Sequence, residues 1–135
     1  IIFPAEQRHI APLRELAAHT CLLEGFQNRQ AQRIRVIVDE LCSNAIEYGS
    51  RPTSEVELDL HTDLSAMTIT CQDQGHGNKL SAKEIQERVT LPPSADIRRG
   101  RGLQMIVKGF VDRLKIQDRH GGGVQIEVLV QKQAH

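Results

Sequence analysis

Residues 55–72 read EVELDLHTDLSAMTITCQ, and apolar residues alternate with polar ones along both halves of this stretch. The apolar positions are Val56, Leu58, Leu60, Met67, Ile69 and Cys71. This period of two predicts two half-buried strands joined by a turn near residues 63–65. A sheet covered by helices on both faces would show continuous apolar runs instead. We therefore expect an antiparallel or mixed sheet with helices on one face and water on the other.

Helical patterns lie on both sides of this predicted hairpin. Apolar residues recur at helical spacing from Glu6 to Leu23 and from Asn28 to Tyr48, and Gly49 follows as a stop signal. A capping box opens a short helix at Ser81 that ends before Pro92. A third major helix is expected over 102–112.

Three further strands complete the predicted sheet. Strands are expected at residues 1–3, around 114–116 and over 124–130, the last after the glycine turn at 121–123. The sum is an α/β (α+β) two-layer sandwich with a mixed, mostly antiparallel sheet and helices on one face. The length of 135 residues favours a single domain over 1–135.

Composition excludes several functional classes. The chain has 17 Lys plus Arg and 17 Asp plus Glu, so a zero net charge argues against a nucleic-acid partner. Three widely spaced cysteines with no CxxC pair argue against a disulfide framework or a zinc site, and they favour a reducing, cytoplasmic location. Apolar runs are too short to span a membrane. Because the sequence begins at Ile1 rather than Met, we expect it to be part of a longer chain.

The first candidate cluster lies on the second helix. Glu40 and Asn44 are four residues apart, so they lie on one helix face, one turn above the other. A carboxylate and an amide oxygen in this arrangement could polarise a water and hold a hard cation. The alternative is a solvated helix face with an Asn that happens to sit mid-helix.

Two glycine-containing clusters follow. In the segment 73–77, Asp73 could accept a hydrogen bond from a purine amine, and Gly75 and Gly77 would let backbone approach a ligand. The alternative is an ordinary turn after a strand. The segment 98–103, RRGRGL, feeds into a helix whose N-terminus could bind phosphate, with positive charge from Arg98, Arg99 and Arg101. The alternative is a basic flexible loop.

The order of these clusters resembles the ATPase/kinase superfamily of gyrase, MutL and the histidine kinases, known as GHKL. The segment from Glu40 to Asn44 looks like its N-box, 73–77 like its G1 box, and 100–103 like its G2 box. The segment between the last two, about 78–99, is similar to the family's ATP lid. The predicted sandwich agrees with the family's Bergerat-type fold.

The resemblance implies a role for each matching residue. Glu40 would be the general base, and Asn44 would ligate Mg²⁺ that bridges the phosphates of ATP. Asp73 would recognise the adenine amine in a pocket shaped by Gly75 and Gly77. The phosphate end would be lined by Gly100, Gly102 and Leu103.

Within the superfamily, the sequence is most similar to the bacterial anti-sigma factor serine/threonine kinases. The opening FPAE at 3–6, the segment DELCSNAIEYG at 39–49 and the segment GRGLQMI at 100–106 carry this similarity. It implies an ATP-dependent kinase that phosphorylates an anti-sigma factor antagonist, binds a sigma factor and forms a homodimer. One departure is at Gly122 and Gly123, where the family often has threonines that support the adenine-binding carboxylate.

Two other functions remain as alternatives at this point. One is a nucleotide-sensing module that binds a protein partner without turnover. The other is the catalytic domain of a histidine kinase or of a larger regulatory protein.

Overall fold

A computed structural model describes residues 1–49, 54–74, 81–89 and 109–133 of the chain. Strand β1 (Ile2–Pro4) and a 3-10 helix (Gln7–His9) precede helices α1 (Ile10–Leu23) and α2 (Asn28–Gly49). The remaining elements are β2 (Glu55–Thr62), β3 (Ala66–Gln72), α3 (Ala82–Val89), β4 (Arg113–Asp118) and β5 (Val124–Gln131). The strands predicted from the alternating pattern are all present.

The five strands form one sheet in the order β1-β2-β3-β5-β4. Each pair of neighbours is antiparallel, and Ile69 in the central strand lies opposite Leu60 on one side and Val128 on the other. The helices pack on one face of this sheet. The predicted α+β two-layer sandwich is therefore confirmed. All strand pairs among the described residues are antiparallel.

The core lies between the helices and the inner face of the sheet. Helix α2 contributes the fully buried Ile34, Ile37 and Leu41, and β3 contributes Met67 and Ile69. Successive residues of each strand point alternately to the inner and the outer face of the sheet. The outward-facing side chains of β2 and β3 are polar or charged at most positions. This division of the sheet is the one that the period-two pattern predicts.

The start of the first helix differs from the prediction. The pattern predicts a helix from Glu6, whereas the 3-10 helix at 7–9 comes first and α1 begins at Ile10. Pro12 explains the difference because it has no N–H to donate to the carbonyl of Arg8, which an α-helix begun at Glu6 would require. With the start at Ile10, Pro12 lies in the first turn, where that N–H needs no helical partner.

The short helix α3 begins at the predicted capping box. The backbone N–H of Glu84 donates to the Ser81 hydroxyl oxygen at 3.2 Å, and the Ser81 N–H donates back to the Glu84 carboxylate at 3.5 Å. Ile85 and Val89 belong to the hydrophobic core. The described part of the segment 78–99, predicted as an ATP lid, is thus a helix packed on the core.

The helix predicted over 102–112 falls mostly outside the described residues. Gly109 is helical and Phe110 lies in a turn. Helical conformation therefore stops a few residues before the predicted end. In the part of the chain that the structure describes, no helix combines the length and the apolar character needed to cross a membrane.

All three cysteines are free and buried. Burial alone raises the pKa of Cys21 to about 11. Because the thiolate is the reactive form of cysteine, a buried thiol with this pKa should react slowly near neutral pH.

We therefore expect native protein to resist thiol-specific reagents. At pH 7, none of the three thiols of the folded chain should react rapidly. All three should react after unfolding in guanidinium chloride. A spectrophotometric titration with a disulfide reagent measures both numbers. Rapid reaction of one or more native thiols would contradict the packing of α1, α2 and β3 described above.

Candidate functional site

Glu40 and Asn44 lie on successive turns of α2, as the sequence predicts. The side-chain amide of Asn44 donates from Nδ2 to the backbone carbonyl of Glu40 at 2.7 Å. Only 6% of Asn44 is exposed. Because a carbonyl requires a donor, this bond assigns the amide nitrogen to Glu40, and it fixes the direction of the amide oxygen Oδ1.

Asp39, next to Glu40, forms an ion pair with helix α1. Arg14 donates from Nη1 to both carboxylate oxygens of Asp39, each at 3.0 Å. The pair links α1 to the turn of α2 that carries the candidate base. It also offsets part of the negative charge that Asp39 places beside Glu40.

The surroundings of Glu40 favour proton uptake by its carboxylate. Partial burial is the main cause that raises the pKa of Glu40 above its ordinary value, and the nearby negative charges of Asp39 and Glu47 raise it further. A general base is most effective when its pKa approaches the working pH. The shift therefore has the direction that proton abstraction from a hydroxyl requires.

Asp73 follows directly after β3 and is 3% exposed. Its backbone N–H donates to the carbonyl of Val124 at 3.1 Å. The N–H of Val124 donates in turn to the carboxylate oxygen Oδ1 of Asp73 at 3.2 Å. A carboxylate offers about four acceptor sites on two oxygens, so this bond to Oδ1 is compatible with accepting an amine as well.

One contact joins the two halves of the candidate site. The thiol of Cys71 lies 3.6 Å from the backbone carbonyl of Leu41, a weak S–H···O hydrogen bond within the buried core. Leu41 follows Glu40 in the chain, and Cys71 precedes Asp73 by two residues. The end of β3 therefore packs directly on the turn of α2 that carries Glu40.

The chemistry of Asn44 fits a magnesium ion shared with phosphate. Mg²⁺ prefers oxygen ligands and is often held by one or two protein side chains together with substrate phosphates. The oriented amide oxygen of Asn44 is one such ligand. Within the described residues, no group of three or more His, Cys, Asp or Glu side chains could hold a metal by itself. A metal held by the Asn44 oxygen could take further ligands from phosphate oxygens and water.

Eight predicted site residues lie outside the described residues, and their positions stay predictions. They are Gly75, Gly77, Arg98, Arg99, Gly100, Arg101, Gly102 and Leu103. The structure thus brings Glu40 and Asn44 together and places Asp73 directly after β3, the strand that contacts α2 at Leu41.

Sequence patterns missed two contacts beside the site. One is the pair between Arg14 and Asp39, which are 25 residues apart. The other is the bond from Arg119 Nη1 to the Asp73 carbonyl at 2.6 Å, across 46 residues. The only signal for the second was the triple glycine at 121–123, which predicts a turn but not what the turn touches.

Comparison with known proteins identifies the family of the chain. No individually curated protein matches the chain significantly. A sequence model of the histidine kinase-like ATPase domain matches residues 3–129, which include α1, α2 and α3 and at least part of each of the five strands. With a match over nearly the whole chain and a carboxylate, an amide and a buried aspartate on the expected elements, the chain belongs to the histidine kinase-like ATPase family.

Proposed function

We propose that this chain is an ATP-dependent serine/threonine protein kinase that acts as an anti-sigma factor. Membership of the histidine kinase-like ATPase family supports ATP binding by the domain. The observation that carries the proposal is the arrangement of Glu40 and Asn44 on one face of α2, beside the strand that ends at the buried Asp73.

In the proposed reaction, a Ser or Thr hydroxyl of the protein substrate attacks the γ-phosphorus of ATP. Glu40 takes the hydroxyl proton, a new O–P bond forms, and the bond from the γ-phosphorus to the bridging oxygen breaks to release ADP. Asp73 fixes the adenine end of the nucleotide through its exocyclic amine. Mg²⁺ bound with Asn44 would neutralise phosphate charge, which is the main requirement of phosphoryl transfer.

The proposed phosphate contacts come from residues that the structure does not describe. The backbone N–H groups of 100–103, at the start of a predicted helix, would bind phosphate oxygens. The guanidinium groups of Arg98, Arg99 and Arg101 would add positive charge there. These contacts rest on the sequence alone.

The proposed partners follow from the similarity to anti-sigma factor kinases. The phosphate acceptor would be an anti-sigma factor antagonist, and the kinase would bind a sigma factor as a cytoplasmic homodimer. Neither nucleic acid nor a membrane is among the proposed partners. A nucleotide-sensing module without turnover and a histidine kinase catalytic domain also fit the family. A phosphotransfer assay distinguishes these two functions from the proposed kinase.

Substitution Glu40→Gln should abolish most of the phosphotransfer. Removing a general base typically costs about 10²–10⁴-fold in rate. The assay uses ATP labelled at the γ-phosphate, Mg²⁺ and a cognate antagonist protein, with ADP affinity measured in parallel. The matched control is Glu57→Gln, the same change between the inward-facing Val56 and Leu58 of β2, which should transfer phosphate at the wild-type rate.

Two results would contradict the kinase proposal, and a third would contradict the role of Glu40 alone. Wild-type protein that binds ADP but transfers no phosphate would favour the nucleotide-sensing module. Transfer to a histidine instead of a Ser or Thr would favour the histidine kinase domain. Full activity in Glu40→Gln would remove Glu40 as the base.

The same substitution should stabilise the fold. Since the folded-state pKa of Glu40 is raised, its ionised form opposes folding at neutral pH, and this cost disappears as pH falls through the raised pKa toward the ordinary value. Glu40→Gln should therefore have a higher Tm than wild type at pH 7, and the difference should vanish near pH 4. Equal Tm values at pH 7 would contradict the predicted environment of Glu40.

A further inference from the structure

The end of the β3–β5 pairing departs from a regular antiparallel ladder. Gln72 lies opposite Gln125 and Cys71 opposite Ile126, so Asp73 and Val124 are the next facing pair. A hydrogen-bonded pair of this kind normally exchanges two main-chain bonds. Here the Asp73 N–H bonds the Val124 carbonyl, but the Val124 N–H bonds the Asp73 carboxylate oxygen Oδ1 instead of its carbonyl. The side chain of Asp73 is thus held by main chain at the strand end.

The displaced carbonyl of Asp73 is bound by the turn that connects β4 to β5. Arg119 donates from Nη1 to this carbonyl oxygen at 2.6 Å. Arg119 is itself held in the turn, since its N–H donates to the Gly123 carbonyl at 2.9 Å and its carbonyl accepts from the Gly122 N–H at 3.2 Å. Arg119 therefore links the conformation of the turn to the position of the Asp73 main chain.

Gly123 allows the turn to approach Asp73 so closely. Its φ is +89°, and a Cβ added there would lie 2.0 Å from the Asp73 carbonyl oxygen and 2.8 Å from the carbonyl carbon. No side chain fits without moving Asp73. Gly121 in the same turn has a similar φ of +93°, but a Cβ there would meet nothing within 4 Å.

We propose that Arg119 and Gly123 are positioning residues that set the Asp73 carboxylate for recognition of a 6-aminopurine. Arg119 holds the carbonyl of Asp73, Gly123 admits the close approach, and the Val124 N–H then fixes Oδ1. The proposal rests on the proposed function, because it takes Asp73 as the group that accepts the base amine. It adds two residues of the β4–β5 turn to the specificity of that site.

A stability role alone would make a different prediction from a positioning role. Loss of fold weakens the binding of every nucleotide equally. Loss of carboxylate position weakens the binding of a 6-amino base more than that of a 6-oxo base, because only the amine donates to Asp73. The informative quantity is therefore the dissociation constant of IDP divided by that of ADP, which is above one when the protein prefers ADP.

The experiment measures both constants by calorimetry with Mg²⁺ for wild type and six variants. Asp73→Asn is the reference for loss of recognition, and Arg119→Gln and Gly123→Ala test the proposal. Gly121→Ala and Arg113→Gln are controls: Gly121→Ala has a similar backbone strain without the clash, and Arg113→Gln alters an exposed arginine of the same hairpin. Thermal unfolding confirms that each variant is folded.

We expect wild type and both controls to prefer ADP. In Arg119→Gln and Gly123→Ala the ratio should fall about tenfold, the scale of one hydrogen bond to a charged group. Arg119→Lys, which keeps a donor, should recover part of the ratio. If Gly123→Ala does not fold, Arg119→Gln decides the result.

Different calorimetric results would overturn the positioning role and the proposed role of Asp73. A wild-type ratio near one, or an unchanged ratio in Asp73→Asn, removes Asp73 as the base-recognising group and the inference with it. A ratio lost in Asp73→Asn but kept in Arg119→Gln and Gly123→Ala overturns the positioning role alone. Equal weakening of ADP and IDP in these two variants also overturns it, because that is the signature of a structural role.

Discussion

The packing of α2 on the inner face of the sheet is the contact on which the other features depend. Ile34, Ile37 and Leu41 of the helix are fully buried together with Met67 and Ile69 of β3. This burial supplies the main stabilising free energy of a small domain. It also fixes the turn of α2 that carries Glu40 against the strand that ends at Asp73, with Cys71 and Leu41 in direct contact.

The candidate site uses polar groups that the core alone would not favour. Asp73 is almost fully buried, and a buried carboxylate is costly unless hydrogen bonds compensate it. The Val124 N–H supplies one such bond. Partial burial and two neighbouring acids raise the pKa of Glu40 above its ordinary value. One carboxylate is therefore held by the fold, and the other is kept ready to accept a proton, a division typical of functional sites.

Local patterns were sufficient to predict most of the architecture. The alternation over 55–72, the helical spacing in α1 and α2, and the Ser81 capping box each depend on residues close in sequence. They also located Glu40, Asn44 and Asp73 on their elements. Even the late start of α1 follows from one residue, Pro12, once the missing N–H is considered.

The contacts that position the site could not be predicted in this way. Arg14 reaches Asp39, and Arg119 reaches Asp73, across 25 and 46 residues. Nothing in the periodicity of either segment specifies the partner. The three glycines at 121–123 have the same sequence signal, yet only Gly123 has main chain where a Cβ would clash at 2.0 Å. Such pairings become visible only when the sheet order and register are known.

The proposed function requires that an adenine nucleotide and Mg²⁺ bind beside α2 and the end of β3. A crystal structure of the chain with ADP and Mg²⁺ tests it most directly. The exocyclic amine of adenine should lie at hydrogen-bond distance from the Asp73 carboxylate, about 2.7–3.2 Å, and the metal should bind the amide oxygen of Asn44. Adenine bound away from Asp73, or a metal bound without Asn44, would contradict it.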